Sequence, residues 1–157
     1  MKPNAYQRSI TVLYSALALG QVALAGLILL KHLFSDSQLV SDPVLTTALS
    51  IVVPFVSLMA LLLAFFLFRM KKNAAATKET LDSKLAEYRV ACLLRWALLE
   101  FPVFLSLVAY FISGALFFAG LAAAVFALFL ITIPSSAKTI RDLNLNFEES
   151  EQLITPT

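Results

Sequence analysis

The feature that most restricts this chain is a set of four long apolar blocks, each closed by charge or by a turn. The first, Ile10 to Leu30, runs 21 residues without one charged side chain between Arg8 and Lys31. As a helix it would reach about 31 Å, matching a hydrocarbon core of about 30 Å. The second runs from Val44 to Phe68 and is closed by Arg69, Lys71 and Lys72. The third, Ala91 to Ser113, carries Arg95 and Glu100, and the fourth runs from Ala115 to Pro134. Composition follows from these blocks: 60% of the 157 residues are hydrophobic and 14% charged. Soluble domains stand at about 45–50% and about 25%. A soluble globular enzyme, a disordered tail and a disulfide-stapled secreted domain are excluded. The sequence predicts an all-α polytopic membrane protein, a bundle of four transmembrane helices over about 10–30, 44–68, 91–113 and 115–134. Ala23-Leu24-Ala25 resembles a signal-peptide cleavage site, but the apolar run continues past it to Leu30, so the first block reads as a retained span.

Charge sets the orientation. Lys2 and Arg8 precede the first block, and Lys31 alone follows it. Arg69, Lys71, Lys72, Lys78, Lys84 and Arg89 lie between the second and third, and Lys138 and Arg141 follow the fourth. The positive-inside rule then places both termini and the 69–89 loop in the cytoplasm. The other side keeps only Lys31 to Pro43 and a turn at Ser113-Gly114, so function is expected within the bilayer or on the cytoplasmic face.

On that face Arg69, Lys71 and Lys72 form a juxtamembrane basic patch, which fixes orientation and can attract anionic headgroups. Thr77 is the expected N-cap of a cytoplasmic helical extension over about 77–90 that continues into the third span. Leu81, Leu85, Tyr88 and Cys92 recur on one face of it, a stripe for the chain's own tail or for a partner. The tail, 135–157, begins basic and ends acidic, and reads as a short surface helix followed by disorder.

The segments RWALLEFPVF in the third span and PSSAKTIRDLNL after the fourth, with four spans, resemble a group of small inner-membrane proteins of Bacteroidota-type bacteria. The likeness covers Glu87 to Leu145. It implies a four-helix membrane fold and the inner (plasma) membrane as location, and that group brings no assigned activity.

Within lipid, helices associate through close packing of small residues. Ala115, Ala119, Ala123 and Ala127 recur at four-residue spacing in the fourth block and are the expected seam, leaving Phe117, Phe118, Phe126 and Phe129 for lipid or for other partners. Near mid-depth stand Gln21 in the first span, Ser50 and Ser57 in the second, and Glu100 in the third. A carboxyl there is costly and usually faces the bundle interior. Glu100 is expected to be neutral and to donate to Gln21, with ion coupling and binding of a cationic ligand as the competing roles. Arg95 lies about 140° around the helix from Glu100 and is expected to snorkel. Pro54 and Pro102 read as packing kinks.

Nothing here supplies a catalytic constellation. Cys92 and His32 are single, so no disulfide or zinc set forms within the chain, and with 4 Gly no phosphate-cradling loop occurs. A net charge of +2 leaves no nucleic-acid footprint. The reading is therefore a non-enzymatic interaction or scaffold subunit of an inner-membrane assembly, without a cofactor, whose partners are the bilayer and another protein or further copies of itself. The alternative is a proton- or cation-coupled carrier or channel subunit built on Glu100. A cytoplasm-only reporter should be active when fused to either terminus and inactive in the 35–42 loop. The reverse at any one of these points refutes the topology.

Overall fold

The computed structural model describes residues 3–34 and 42–154, and every regular element among them is helical. Three helices are long: α1 (Pro3–Phe34), α2 (Pro43–Ala76) and α3 (Leu81–Ser113). They are followed by α4 (Leu116–Ile131), α5 (Ser136–Leu143) and α6 (Phe147–Ile154). The first three are each long and apolar enough to cross a membrane. The chain is thus built as a multi-pass membrane protein. Alone, α4 has only 16 residues, about 24 Å, and it meets α5 at a bend of 76°. The count reaches four if that bent pair is one span.

Local chemistry sets the ends. Asp42 accepts from the Val44 amide at 2.9 Å, and Pro43 supplies a first helical position that needs no N–H. The extension expected to start at Thr77 begins later. Thr77 closes α2, its hydroxyl donating to the Ala74 carbonyl, and Thr80 opens α3 by accepting from the Ser83 amide. At the far end of α3, Gly114 adopts φ 66° and donates to the Tyr110 carbonyl. Only glycine takes that left-handed conformation without cost, so the chain reverses tightly into α4. Pro54 and Pro102 lie inside α2 and α3, which continue through them. The expected outer loop, Lys31 to Pro43, falls largely outside the described residues.

Helix α3 is the centre of the bundle and packs against α1, α2 and α4. At one end a core gathers Tyr6, Ile10 and Tyr14 of α1, Phe68 and Ala75 of α2, Leu85, Cys92 and Trp96 of α3, and Phe129 of α4. The Tyr14 ring stacks on Phe129 with centroids 4.9 Å apart and meets Trp96 edge-on at 5.2 Å. Its hydroxyl donates to the Phe129 and Leu130 carbonyls, each at 3.3 Å. Trp96 Nε1 donates to Thr132 Oγ1 at 3.1 Å, and that hydroxyl donates to the Phe129 carbonyl. Three helices are pinned together here, and the Phe129, Leu130 and Ile131 carbonyls at the end of α4 gain side-chain donors. Toward the opposite end a second core joins Ile28, Val53, Val103, Leu107, Phe118, Ala122 and Val125.

The alanine seam is corrected by this arrangement. The buried row of α4 is Phe118, Ala122, Val125 and Phe129. Ala115 and Ala119 are half-buried, and Ala123 and Ala127 are exposed. Large rings fill the space beside α3 and bring more contact area than a methyl ladder would. Phe118 is fully buried and Phe126 half-buried, so neither ring is simply a lipid-facing one. Replacing Val125, which is buried in that row, by Phe should therefore cost about 1–3 kcal/mol through overpacking, and Ala127→Leu almost nothing. Thermal unfolding in detergent compares them, and equal midpoints would show that Val125 does not lie in the seam.

Candidate functional site

Glu100 does not meet Gln21. Gln21 is 1% exposed, and neither its Nε2 nor its Oε1 has a hydrogen-bond partner. Glu100 is half-buried with exposed neighbours, Ala97 and Phe101, and no hydrogen bond or ion pair to it is present among the described residues. The expected inward donor is thus a carboxyl opening on the bundle surface. Of the two candidate serines, Ser50 is exposed and donates to the Thr46 carbonyl at 2.8 Å. Ser57 is buried with an unpartnered hydroxyl, and so is Ser106 of α3, which sequence reasoning passed over. Among the described residues no hydrogen bond joins any two of the four expected polar residues.

Gln21 borders a cavity of about 380 Å³ between α1, α3 and α4. Its walls include Ala25, Gly26 and Leu29 of α1, Val103, Leu107 and Tyr110 of α3, and Ala119, Ala122 and Phe126 of α4. The cavity lies beyond the Tyr14 pin, where the gap between α1 and α4 is left unfilled. Lys31 Nζ stands 3.8 Å from the centre of the Phe111 ring, a cation–π contact joining α1 to α3 near their far ends.

At the opposite, basic end the charges are largely used within the molecule. Lys71 pairs with Glu87 at 3.3 Å and Lys72 with Asp142 at 3.7 Å, while Arg69 stays exposed. Tyr88 donates to the same Asp142 carboxylate at 2.8 Å. Arg95 lies over the Phe68 ring, its guanidinium carbon 3.7 Å from the centroid, with Nε buried and unpartnered. It is held in the bundle rather than reaching the edge as a free cation.

The tail is two helices docked on this end, and its expected disorder is corrected as far as Ile154; residues 155–157 lie outside the described ones. Ser135 caps α5 by accepting from the Lys138 amide, and Asn144 ends it at φ 49°, a left-handed position that asparagine tolerates. Asn146 and Glu149 then form a reciprocal capping box: Asn146 Oδ1 accepts from the Glu149 amide at 2.8 Å, and a Glu149 carboxylate oxygen accepts from the Asn146 amide at 3.2 Å. That Asn-x-x-Glu spacing was the missed signal for α6. Leu143 and Leu153 are buried in the same core as Leu85, Tyr88 and Cys92. The apolar stripe at the start of α3 is thereby covered by the chain's own tail.

Comparison of the chain with protein-family models, with curated proteins and with solved structures gave no match.

Lys84 Nζ donates to Glu149 at 2.7 Å, and this hydrogen bond holds the Glu149 carboxyl below the ordinary glutamate value. A carboxylate whose folded pKa is lowered stabilises docking above its unfolded value of about 4.3. The contribution fades as pH falls through the lowered folded value. Limited proteolysis of the tail should therefore accelerate on acidification through that range. Glu149→Gln should be cleaved faster than the wild type near neutrality and lose much of this acid response. An unchanged response in the variant would show that Lys84–Glu149 is not the latch.

Proposed function

We propose that the protein is a non-enzymatic interaction subunit of an inner-membrane assembly, crossing the bilayer four times with both termini in the cytoplasm. The basic residues support this orientation, since all except Lys31 and the intramembrane Arg95 belong to the side assigned to the cytoplasm. Helix α4 with Thr132 to Pro134 supplies the fourth crossing. The likeness to inner-membrane proteins of Bacteroidota-type bacteria supports the location.

The observation that carries the interaction role is Glu100, a carboxyl near mid-depth that opens on the bundle surface. Facing lipid, it has no compensation from water or from its own bundle, and such residues persist where a donor or cation meets them. A partner helix presenting a hydrogen-bond donor at that depth supplies one. The exposed small residues of α4, Gly120, Ala123, Ala124 and Ala127, let a second backbone approach closely. The basic end is a poorer candidate for docking, because α5 and α6 already cover the stripe.

Gentle solubilisation and mass analysis from the native membrane should recover a defined complex, either with another protein or with further copies of the chain. Glu100→Gln should retain it, since an amide keeps polar partners, and Glu100→Leu should release it. Recovery of a lone monomer would contradict the reading. The same carboxyl would serve a proton- or cation-coupled carrier or channel. In that case Glu100→Gln leaves the complex intact and abolishes flux in proteoliposomes.

A further inference from the structure

Small residues shape the groove between α1, α3 and α4. Ala25 and Gly26 of α1 line it together with Ala119 and Ala122 of α4, and side chains this short leave the space between the helices unfilled. A side chain added at Gly26 would meet nothing within 4 Å. The walls are almost wholly apolar, and the Gln21 amide is sealed behind them, offering no contact to an occupant. Val22 and Leu29 on the rim are 53% and 52% exposed, so the groove opens sideways onto lipid. An acyl chain gains no hydrophobic drive by entering it from a bilayer, so retention depends on packing and on charge.

A charge stands beside it. The α1 wall runs from Gln21 to Leu29, about 12 Å, and Lys31 follows two residues later. Gln21 and Lys31 are about 15 Å apart along the axis, half of a hydrocarbon core of about 30 Å. The groove thus occupies the depth of one leaflet's acyl chains, and Lys31 stands at the level of its headgroups. The Lys31 ammonium rests 3.8 Å from the centre of the Phe111 ring, and Phe111 packs on the core that includes Ile28, Leu107 and Tyr110 of the groove wall. The ring holds the ammonium close without neutralising it and leaves N–H donors free for an anion. Among the described residues no carboxylate pairs with Lys31, and it is the one Lys or Arg between the first and second apolar blocks.

Spread along 12 Å, a volume of about 380 Å³ leaves a cross-section of about 30 Å², which admits an extended chain and not a helix about 10 Å across. A zwitterionic headgroup carries its own cation, which competes with lysine for the phosphate. We propose that the groove between α1, α3 and α4 retains one anionic phospholipid of the leaflet at the Lys31 end. One acyl chain lies along Leu29 and Ala25 against Leu107 and Ala122, and the phosphate meets the Lys31 ammonium. The bound lipid exchanges with the bilayer, and smaller apolar guests compete with it for the same walls.

The test uses the full chain, methyl-labelled, in phosphatidylcholine nanodiscs. Phosphatidylglycerol or phosphatidylcholine with a nitroxide part-way along one acyl chain is added in increasing amount. Broadening of the Val103 and Ala122 methyl signals reads occupancy of the groove. Val52, 54% exposed and nine residues into α2, reads ordinary lipid contact at similar depth. In wild type, Val103 and Ala122 should broaden saturably, and at about fivefold less phosphatidylglycerol than phosphatidylcholine, as the attraction of one interfacial lysine implies. Val52 should respond alike to both lipids. Lys31→Gln should abolish the preference and Lys31→Arg should keep it. Gly26→Leu, which fills the groove, should spare Val103 while Val52 broadens as before, showing that the variant is folded in the bilayer. Glycerol phosphate in solution should displace nothing. Equal responses to the two lipids in wild type, a preference that survives in Lys31→Gln, or broadening at Val103 that only parallels Val52 would overturn the proposal. So would displacement by glycerol phosphate, which would assign the lysine to a free phosphate.

Discussion

The structure depends on one contact, the seat of Tyr14 between Trp96 and Phe129. In lipid no hydrophobic force drives helices together, because their surroundings are as apolar as they are. What remains is close packing and the satisfaction of polar groups. Tyr14 supplies both: its ring packs against two others, and its hydroxyl takes carbonyls that the end of α4 leaves open. Trp96 and Thr132 close the remaining polar groups beside it. Helices α1, α3 and α4 are thereby fixed at one end, and the tail can dock there on a formed surface.

Away from that contact the bundle is less complete. Gln21, Ser57 and Ser106 are buried with unpartnered polar atoms, and a cavity stands between α1 and α4. The molecule is thus asymmetric along its length. Its basic end is consolidated by ion pairs, aromatic contacts and the tail, and its far half retains space. Tyr6, Gln7 and Arg95 carry unpartnered polar atoms at the basic end as well, so what sets the far half apart is the open space beside Gln21.

Much of this was legible in the sequence, and the failures have physical causes. Apolar length revealed α1 to α3, despite Arg95 and Glu100 within the third, and the recurrence of Leu81, Leu85, Tyr88 and Cys92 revealed a face that another element must cover. Its occupant was readable too, since Asn146 and Glu149 stand at capping-box spacing, but the few apolar residues of the tail suggested disorder. The seam of α4 could not be read from periodicity, because that helix is apolar all round and no face is marked by polarity. A rule favouring alanines chose one row, whereas ring size favoured Phe118 and Phe129. The partner of Glu100 was inferred from shared depth with Gln21. Depth alone does not determine which way a side chain points around its helix.

The central claim is that the bundle is closed around Tyr14 and open beside Gln21. Xenon tests this directly, because it enters apolar cavities and shifts the NMR signals of the methyl groups that line them. Ala64, Ala91, Val103 and Ala122 are all buried, so lipid-dissolved xenon reaches none of them preferentially. With methyl-labelled protein in nanodiscs under xenon pressure, Val103 and Ala122 should shift saturably, and Ala64 and Ala91 should stay in place. Equal shifts at all four, or none at Ala122, would contradict the account.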